Sequence, residues 1–96
     1  MTNPEIHPVA QAEYNSAIDW YAERSNAAAQ RFVLQVEAAI DAIKKRPDCY
    51  ARLDDTHRVY LLNGFPYYVA YRQVQNLVQI VAIRHSSQDQ DAWKVR

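Results

Sequence analysis

The sequence predicts an α+β domain in which an N-terminal helical hairpin packs on a small twisted, mainly antiparallel sheet, ordered β-α-α-β-β-β with a short C-terminal helix. Three observations carry this. Apolar residues recur at helical spacing from Val9 to Lys45, interrupted only at Ser25-Asn26. Between His57 and Arg84 follow runs of β-branched and aromatic residues, separated by turn residues. A chain of 96 residues suffices for one core but not two, so residues 1–96 are expected to form a single domain whose helices have only the sheet to cover.

Residues 4–8 read Pro-Glu-Ile-His-Pro, too rich in proline for a central strand but able to begin an edge strand at Ile6. Pro8 suits the first turn of a helix, where its missing N–H is not needed. That helix runs from Val9 to about Arg24, with Ala10, Tyr14, Ala17, Ile18 and Tyr21 on its apolar face. Glu13, Asn15, Asp19 and Glu23 fall mainly elsewhere around the wheel, and Trp20 lies at the boundary. Ser25 and Asn26 favour caps and turns, so a second helix starts at Ala27 and runs to about Lys45, burying Ala28, Phe32, Val36, Ala39, Ile40 and Ile43. Lys44, Lys45 and Arg46 complement the dipole at its carboxyl end, and Pro47 stops it. With so short a link the two helices lie antiparallel.

Pro47 to Thr56 reads as a loop, with Tyr50 and Leu53 tucked beneath it. Strands are expected over His57 to Asn63, Tyr67 to Arg72 and Leu77 to Arg84, with Asn63-Gly64 and Gln73 to Asn76 as the turns. Alternation sets Tyr67, Val69 and Tyr71 on one face of the middle strand and Tyr68, Ala70 and Arg72 on the other. The last strand is polar only at Gln79 and Arg84, so it is central or covered on both sides.

Composition narrows the function. Hydrophobic residues at 49% and charged residues at 23% fit a folded globular chain and exclude disorder. No apolar run approaches the roughly 20 residues that span a bilayer, and the first residues lack a signal peptide's basic and apolar segments, so a cytoplasmic protein is expected. Eleven basic residues balance eleven acidic ones, which disfavours extensive nucleic-acid binding while leaving room for a local basic patch. Cys49 stands alone, a loop or half-buried thiol, and no metal-ligand spacing, nucleotide loop or nucleophile triad occurs, so no cofactor is expected.

Ile-His-Pro with Ala10 and Glu13, Trp20-Tyr21, Arg31-Phe32, Pro47, Arg58, Phe65-Pro66-Tyr67, Tyr71-Arg72, Ala82, His85 and Trp93 together resemble the ParE branch of the RelE/ParE toxin superfamily, also called plasmid stabilisation proteins. The resemblance spans nearly the whole chain, and the Phe-Pro-Tyr loop and the His-to-Trp tail are its most specific parts. It implies the toxin of a type II toxin-antitoxin system, wrapped by a ParD-like antitoxin, with DNA gyrase as the target associated with this branch. RelE-like members instead cleave messenger RNA on the ribosome, using arginines whose equivalents here fall at Tyr68 and Ser86, neither of them charged. The tail also departs from its own branch, where relatives show an arginine at the position of Gln88.

The leading expectation is therefore a non-enzymatic toxin module acting by protein binding. The alternatives are a ribonuclease with a degenerate site, using His85 as acid or base and Arg72, Arg84 or Arg96 as phosphate clamps, and an attenuated relative that binds antitoxin without toxicity. Arg72, Arg84, His85, Trp93 and Arg96 are the candidate target or partner contacts, since Trp and Arg are enriched at binding hot spots. Their structural readings are ion pairs with acids such as Asp89 and Asp91, a hydrogen-bonding histidine, and a tryptophan anchoring the tail to the sheet. Tyr60, Tyr67, Tyr68 and Tyr71 cluster on adjoining strands, where core and partner groove are both served. The antitoxin is expected to lie across the sheet and the helical hairpin as an extended or helical segment with apolar anchors.

Overall fold

In the computed structural model, residues 3–88 and 91–96 are described. Five strands form one mixed sheet: β1 (Glu5–Ile6), β2 (Ala51–Arg52), β3 (His57–Leu61), β4 (Tyr67–Val74) and β5 (Leu77–His85), in spatial order β1-β5-β4-β3-β2. Only β1 is parallel to its neighbour. The helices α1 (Pro8–Ala22) and α2 (Asn26–Lys45) form an antiparallel pair covering one face, α1 over β5 and α2 over β4.

Local chemistry sets the helix ends. Pro8 opens α1, and the His7 ring accepts the Val9 N–H through Nδ1 at 3.1 Å, so this histidine caps a helix. Ser25 caps α2, its hydroxyl accepting the Ala28 N–H at 3.2 Å. At the far end Lys45 pairs with Asp41 one turn back and Lys44 binds the Asn3 side chain, which accounts for two of the three basic residues there.

The hairpin of β4 and β5 is longer than its sequence suggests. Gln73 and Val74 continue β4, and the turn shrinks to Gln75-Asn76, with Gln75 at a φ of +58°. Gly64 takes a φ of +81° in the loop before β4, a conformation open to glycine. β3 ends at Leu61, because Leu62 turns inward to join the core. The two-residue β2, expected as loop, pairs only with Arg58 and Val59, so the outer rim of β3 at Leu61 stays uncovered, and Leu61 is 72% exposed. Tyr50 packs on Tyr60 with ring centroids 4.9 Å apart, whereas Leu53, expected beneath the loop, faces outward.

One irregularity decides which residues face which layer. Ala70 pairs with Ala82 but Tyr71 pairs with Ile80, leaving Val81 as an extra residue on β5. Ile80 and Ile83 can then both enter the helix-side core, while Val81 and Ala82 both face the opposite layer. Strict alternation would have sent Ile83 the other way.

Phe32 sits at the centre of the helix-side core, fully buried, with Tyr21 and Tyr67 at 5.0 Å and Phe65 at 5.4 Å between ring centroids. The Phe65-Pro66 loop is thereby pinned to the helical hairpin. The opposite face carries a smaller cluster of Tyr68, Ala70, Val81 and Ala82 closed by Trp93. Residues 91–95 reach it through turns, not the α-helix expected from about Gln88, with Arg96 N–H bonded to the Trp93 carbonyl at 3.0 Å. Phe32→Ala should destabilise the chain by about 3–5 kcal/mol, read as a lower urea midpoint; a loss below 1 kcal/mol would mean that the aromatic cluster does not organise the core.

Candidate functional site

β1 reaches β5 only at Gln79 and Ile80, so from Val81 onward β5 has no neighbouring strand on that side. Side chains take the strand's place. Glu13 accepts the Ile83 N–H at 3.2 Å, and Arg96 donates to the Val81 carbonyl, at the bulge, at 2.9 Å. The same carboxylate takes Arg84 Nη1 at 2.9 Å and both terminal nitrogens of Arg96 at 2.8 and 2.9 Å, a fork on a fork. The three side chains are only 12–17% exposed.

Burial alone would push the Glu13 carboxyl up. The Arg96 hydrogen bond and charge, the Ile83 amide and Arg84 outweigh it, and the carboxyl titrates below its ordinary 4.5. Arg84 Nε, by contrast, is buried without a partner among the described residues.

The tail that carries Arg96 also carries Trp93, fully buried on the outer sheet face. Its indole N–H donates to the Tyr68 hydroxyl at 2.9 Å, and its ring meets the His57 ring edge-on at 5.1 Å. His57 is 5% exposed, with Nδ1 3.1 Å from both Asp54 oxygens and Nε2 unpartnered among the described residues. The Thr56 and His57 backbone amides hold the Asp54 carboxyl down at about 2. Arg72 completes the arrangement, donating to Gln79 at 2.7 Å and to the Arg96 main-chain oxygen at 3.2 Å.

Four of the five candidate residues therefore meet at the tail, and each is engaged internally. Arg84 and Arg96 pair with Glu13, not with Asp91, which pairs with Lys94; Asp89 lies outside the described residues. Arg72 binds amide and main-chain oxygens, and Trp93 anchors the tail and offers no outward surface. His85 stands apart at the end of β5. Its Nδ1 accepts the Ser87 N–H at 3.0 Å and lies 2.7 Å from the Ser87 hydroxyl, and its ring lies against Tyr67. No described carboxylate orients it. Gln88 accepts the His85 N–H at 3.0 Å, so Gln88, where the resemblance implies an arginine, closes the strand end.

Glu13 is the residue that reading the helix wheel missed. Its signal was its spacing: Ala10 and Ala17, three positions before and four after, are both buried, so Glu13 lies inside the apolar stripe.

The helical hairpin offers a different surface. A cleft of about 530 Å³ on its outer side is lined by Ile18, Ala29, Val33 and Leu34, flanked by Gln30 and Glu37, and Leu34 is 63% exposed. Beside α1, Val9, Trp20, Tyr67 and Ile83 line a second groove of about 400 Å³, with Arg24 stacked 3.6 Å over the Trp20 ring.

Because the Glu13 carboxyl is depressed in the folded chain, its stabilisation is complete above the unfolded value and is lost as pH falls through the folded one. Glu13→Gln should cost about 2 kcal/mol at neutral pH by leaving two largely buried arginines without their counter-charge. It should also flatten the fall in stability below pH 4.5, the ordinary value. An unchanged urea midpoint and acid profile would deny the carboxylate this role.

The same organisation appears in known proteins. The family described as "ParE toxin of type II toxin-antitoxin system, parDE" matches residues 5–90. "Toxin ParE2" of Mycobacterium tuberculosis, in strains CDC 1551 / Oshkosh and ATCC 25618 / H37Rv, is 30% identical over 88 residues, spanning 91% of this chain and 84% of the relative. A solved structure, "Chromosomal ParDE TA system from P. aeruginosa", superposes with a TM-score of 0.76 over 88% of this chain and 96% of that one, at 17% identity, and so shares the fold. This chain therefore belongs to the ParE toxin family of type II toxin-antitoxin systems.

Proposed function

We propose that this toxin acts by protein contact, with DNA gyrase as its target in the cytoplasm, and that a ParD-like antitoxin holds it inactive. Membership of the family implies an antitoxin partner; the target and the non-enzymatic mode are the steps beyond it. The target follows the branch that the sequence resembles; the observation that supports the non-enzymatic mode is the closed outer sheet face. Tyr68, where ribonuclease relatives carry an arginine, is buried beneath Trp93 and bonded to it, and Ser86, the second such position, is an exposed residue held by its main-chain N–H on the Pro66 carbonyl at 2.8 Å. A ribonuclease of this type needs cations around the phosphorane and an oriented acid or base. Arg84 and Arg96 are both tied to the one Glu13 carboxylate, and His85 is turned toward Ser87.

For the antitoxin, the outer side of the helical hairpin supplies apolar anchor positions at Val33 and Leu34 in a cleft of a size to take side chains of an amphipathic segment. The reading needs no metal or cofactor, and among the described residues no helix is long and apolar enough to cross a membrane.

Two assays on one preparation test the target: trapping of gyrase cleavage complexes, and cleavage of messenger RNA on programmed ribosomes, with His85→Ala alongside. Gyrase trapping with intact RNA, unchanged in His85→Ala, is expected; RNA cleavage abolished in that variant would make the chain an enzyme. Leu34→Glu should weaken binding of the product of the neighbouring reading frame at least tenfold, the scale of an interface anchor, with thermal stability unchanged. Undiminished affinity would move the antitoxin elsewhere.

A further inference from the structure

The only glycine of the chain, Gly64, follows an asparagine. Asn63 and Gly64 lie in the loop between β3 and β4, and both are exposed. The residues on either side are fixed: Leu62 is buried in the core with its N–H on the Tyr67 carbonyl at 3.0 Å, and Phe65 packs on Phe32. The pair between them is not held. The Asn63 side chain and the Gly64 N–H have no hydrogen-bond partner among the described residues. A Cβ placed on Gly64 would meet no atom within 4 Å.

Asparagine is a chemically labile residue, and its lability is set by the nitrogen that follows it. For that nitrogen to attack the side-chain carbonyl it must have an N–H to lose, room around the next α-carbon and a backbone free to turn. Gly64 takes a φ of +81°, open to glycine, so the turn that calls for a glycine also supplies the least hindered nucleophile. Every other asparagine lacks one of these conditions. Asn3 precedes Pro4, which has no N–H. Asn15 and Asn26 lie in α1 and α2, where the helix fixes the backbone. Asn76 precedes Leu77, a branched residue already paired with Val74.

We propose that Asn63 is a self-modification site, converted through a succinimide to aspartate and isoaspartate. The Gly64 nitrogen gives its proton to hydroxide and bonds to the Asn63 side-chain carbonyl carbon. The bond from that carbon to Nδ2 breaks, and ammonia leaves with a proton taken from water, which restores the hydroxide. Water then opens the ring. Opening at the side-chain carbonyl leaves aspartate; opening at the main-chain carbonyl leaves isoaspartate, with the chain continuing through the former side chain. Asparagine and water thus become acid and ammonia, with nothing oxidised or reduced. Either product is an anion in a groove of about 290 Å³ that Asn63 shares with Arg31, Leu34, Gln35 and Phe65. Arg31 has no ion pair among the described residues, so the conversion brings a counter-charge to its groove. The chemistry is independent of the gyrase and antitoxin readings, because it is measured on the chain alone.

The test is peptide mapping by mass spectrometry of the folded, intact chain during prolonged incubation at mildly alkaline pH, beside a free peptide of residues 58–68. The fragment holding Asn63 and Gly64 should gain the mass of an amide-to-acid exchange and split into two isomers. Its conversion should run at least about tenfold faster than at Asn15 or Asn76, a barrier difference of about 1.4 kcal/mol. The rate should rise with pH, because the nucleophile is the deprotonated amide. Asn63→Gln, which must close a larger ring, should show no conversion at this position and keep the wild-type urea midpoint. Conversion in the free peptide but not in the folded chain would show that the loop blocks the attack and would overturn the site; so would equal rates at Asn15, Asn63 and Asn76.

Discussion

A single carboxylate holds the two halves of this toxin in register. Glu13 projects from the first helix to the free edge of β5 and there meets the Ile83 amide and the guanidinium groups of Arg84 and Arg96. An isolated ion in so dry a place would be costly, and paired charges in proteins often only break even against burial. Here the carboxylate also answers a strand amide that would otherwise lack an acceptor. Helix, sheet edge and tail thus share one electrostatic knot, and the placement of Trp93 over the outer face follows from it.

The bulge at Val81 supplies the geometry that makes the knot possible. By inserting one residue opposite the Ala70–Tyr71 step, it turns Ile83 into the helix-side core and frees the Val81 carbonyl for Arg96. The strand has its apolar residues on both sides because both faces are roofed, one by the helices and one by the tail. The nine residues of β5, Leu77–His85, thus contribute apolar side chains to both layers.

Much of the architecture was legible in the residues because it depends on local rules. Pro8, Ser25 and Pro47 bound the helices, alternation sorted Tyr67 to Arg72 between the two faces, and the tail tryptophan was read as an anchor. What could not be read depends on distant partners. Glu13 looks like a solvated helix residue until β1 proves too short to cover β5, and its two arginines lie 71 and 83 positions away. The two-residue β2 carries no pattern of its own, and the bulge leaves no trace in a run of Ile, Val and Ala. For the arginines, acids nearby in sequence looked like the natural partners, and the fold chose a remote one.

The uncovered rim of β3 has a bearing on how such a protein lives in a cell. Beyond the two residues of β2, Leu61 presents its backbone N–H and carbonyl to the outside, with a side chain almost three-quarters bare. An open strand of that kind is a template on which any extended chain, including another copy of itself, can lay down hydrogen bonds. A partner chain laid along that edge would complete the hydrogen bonds that β2 leaves open.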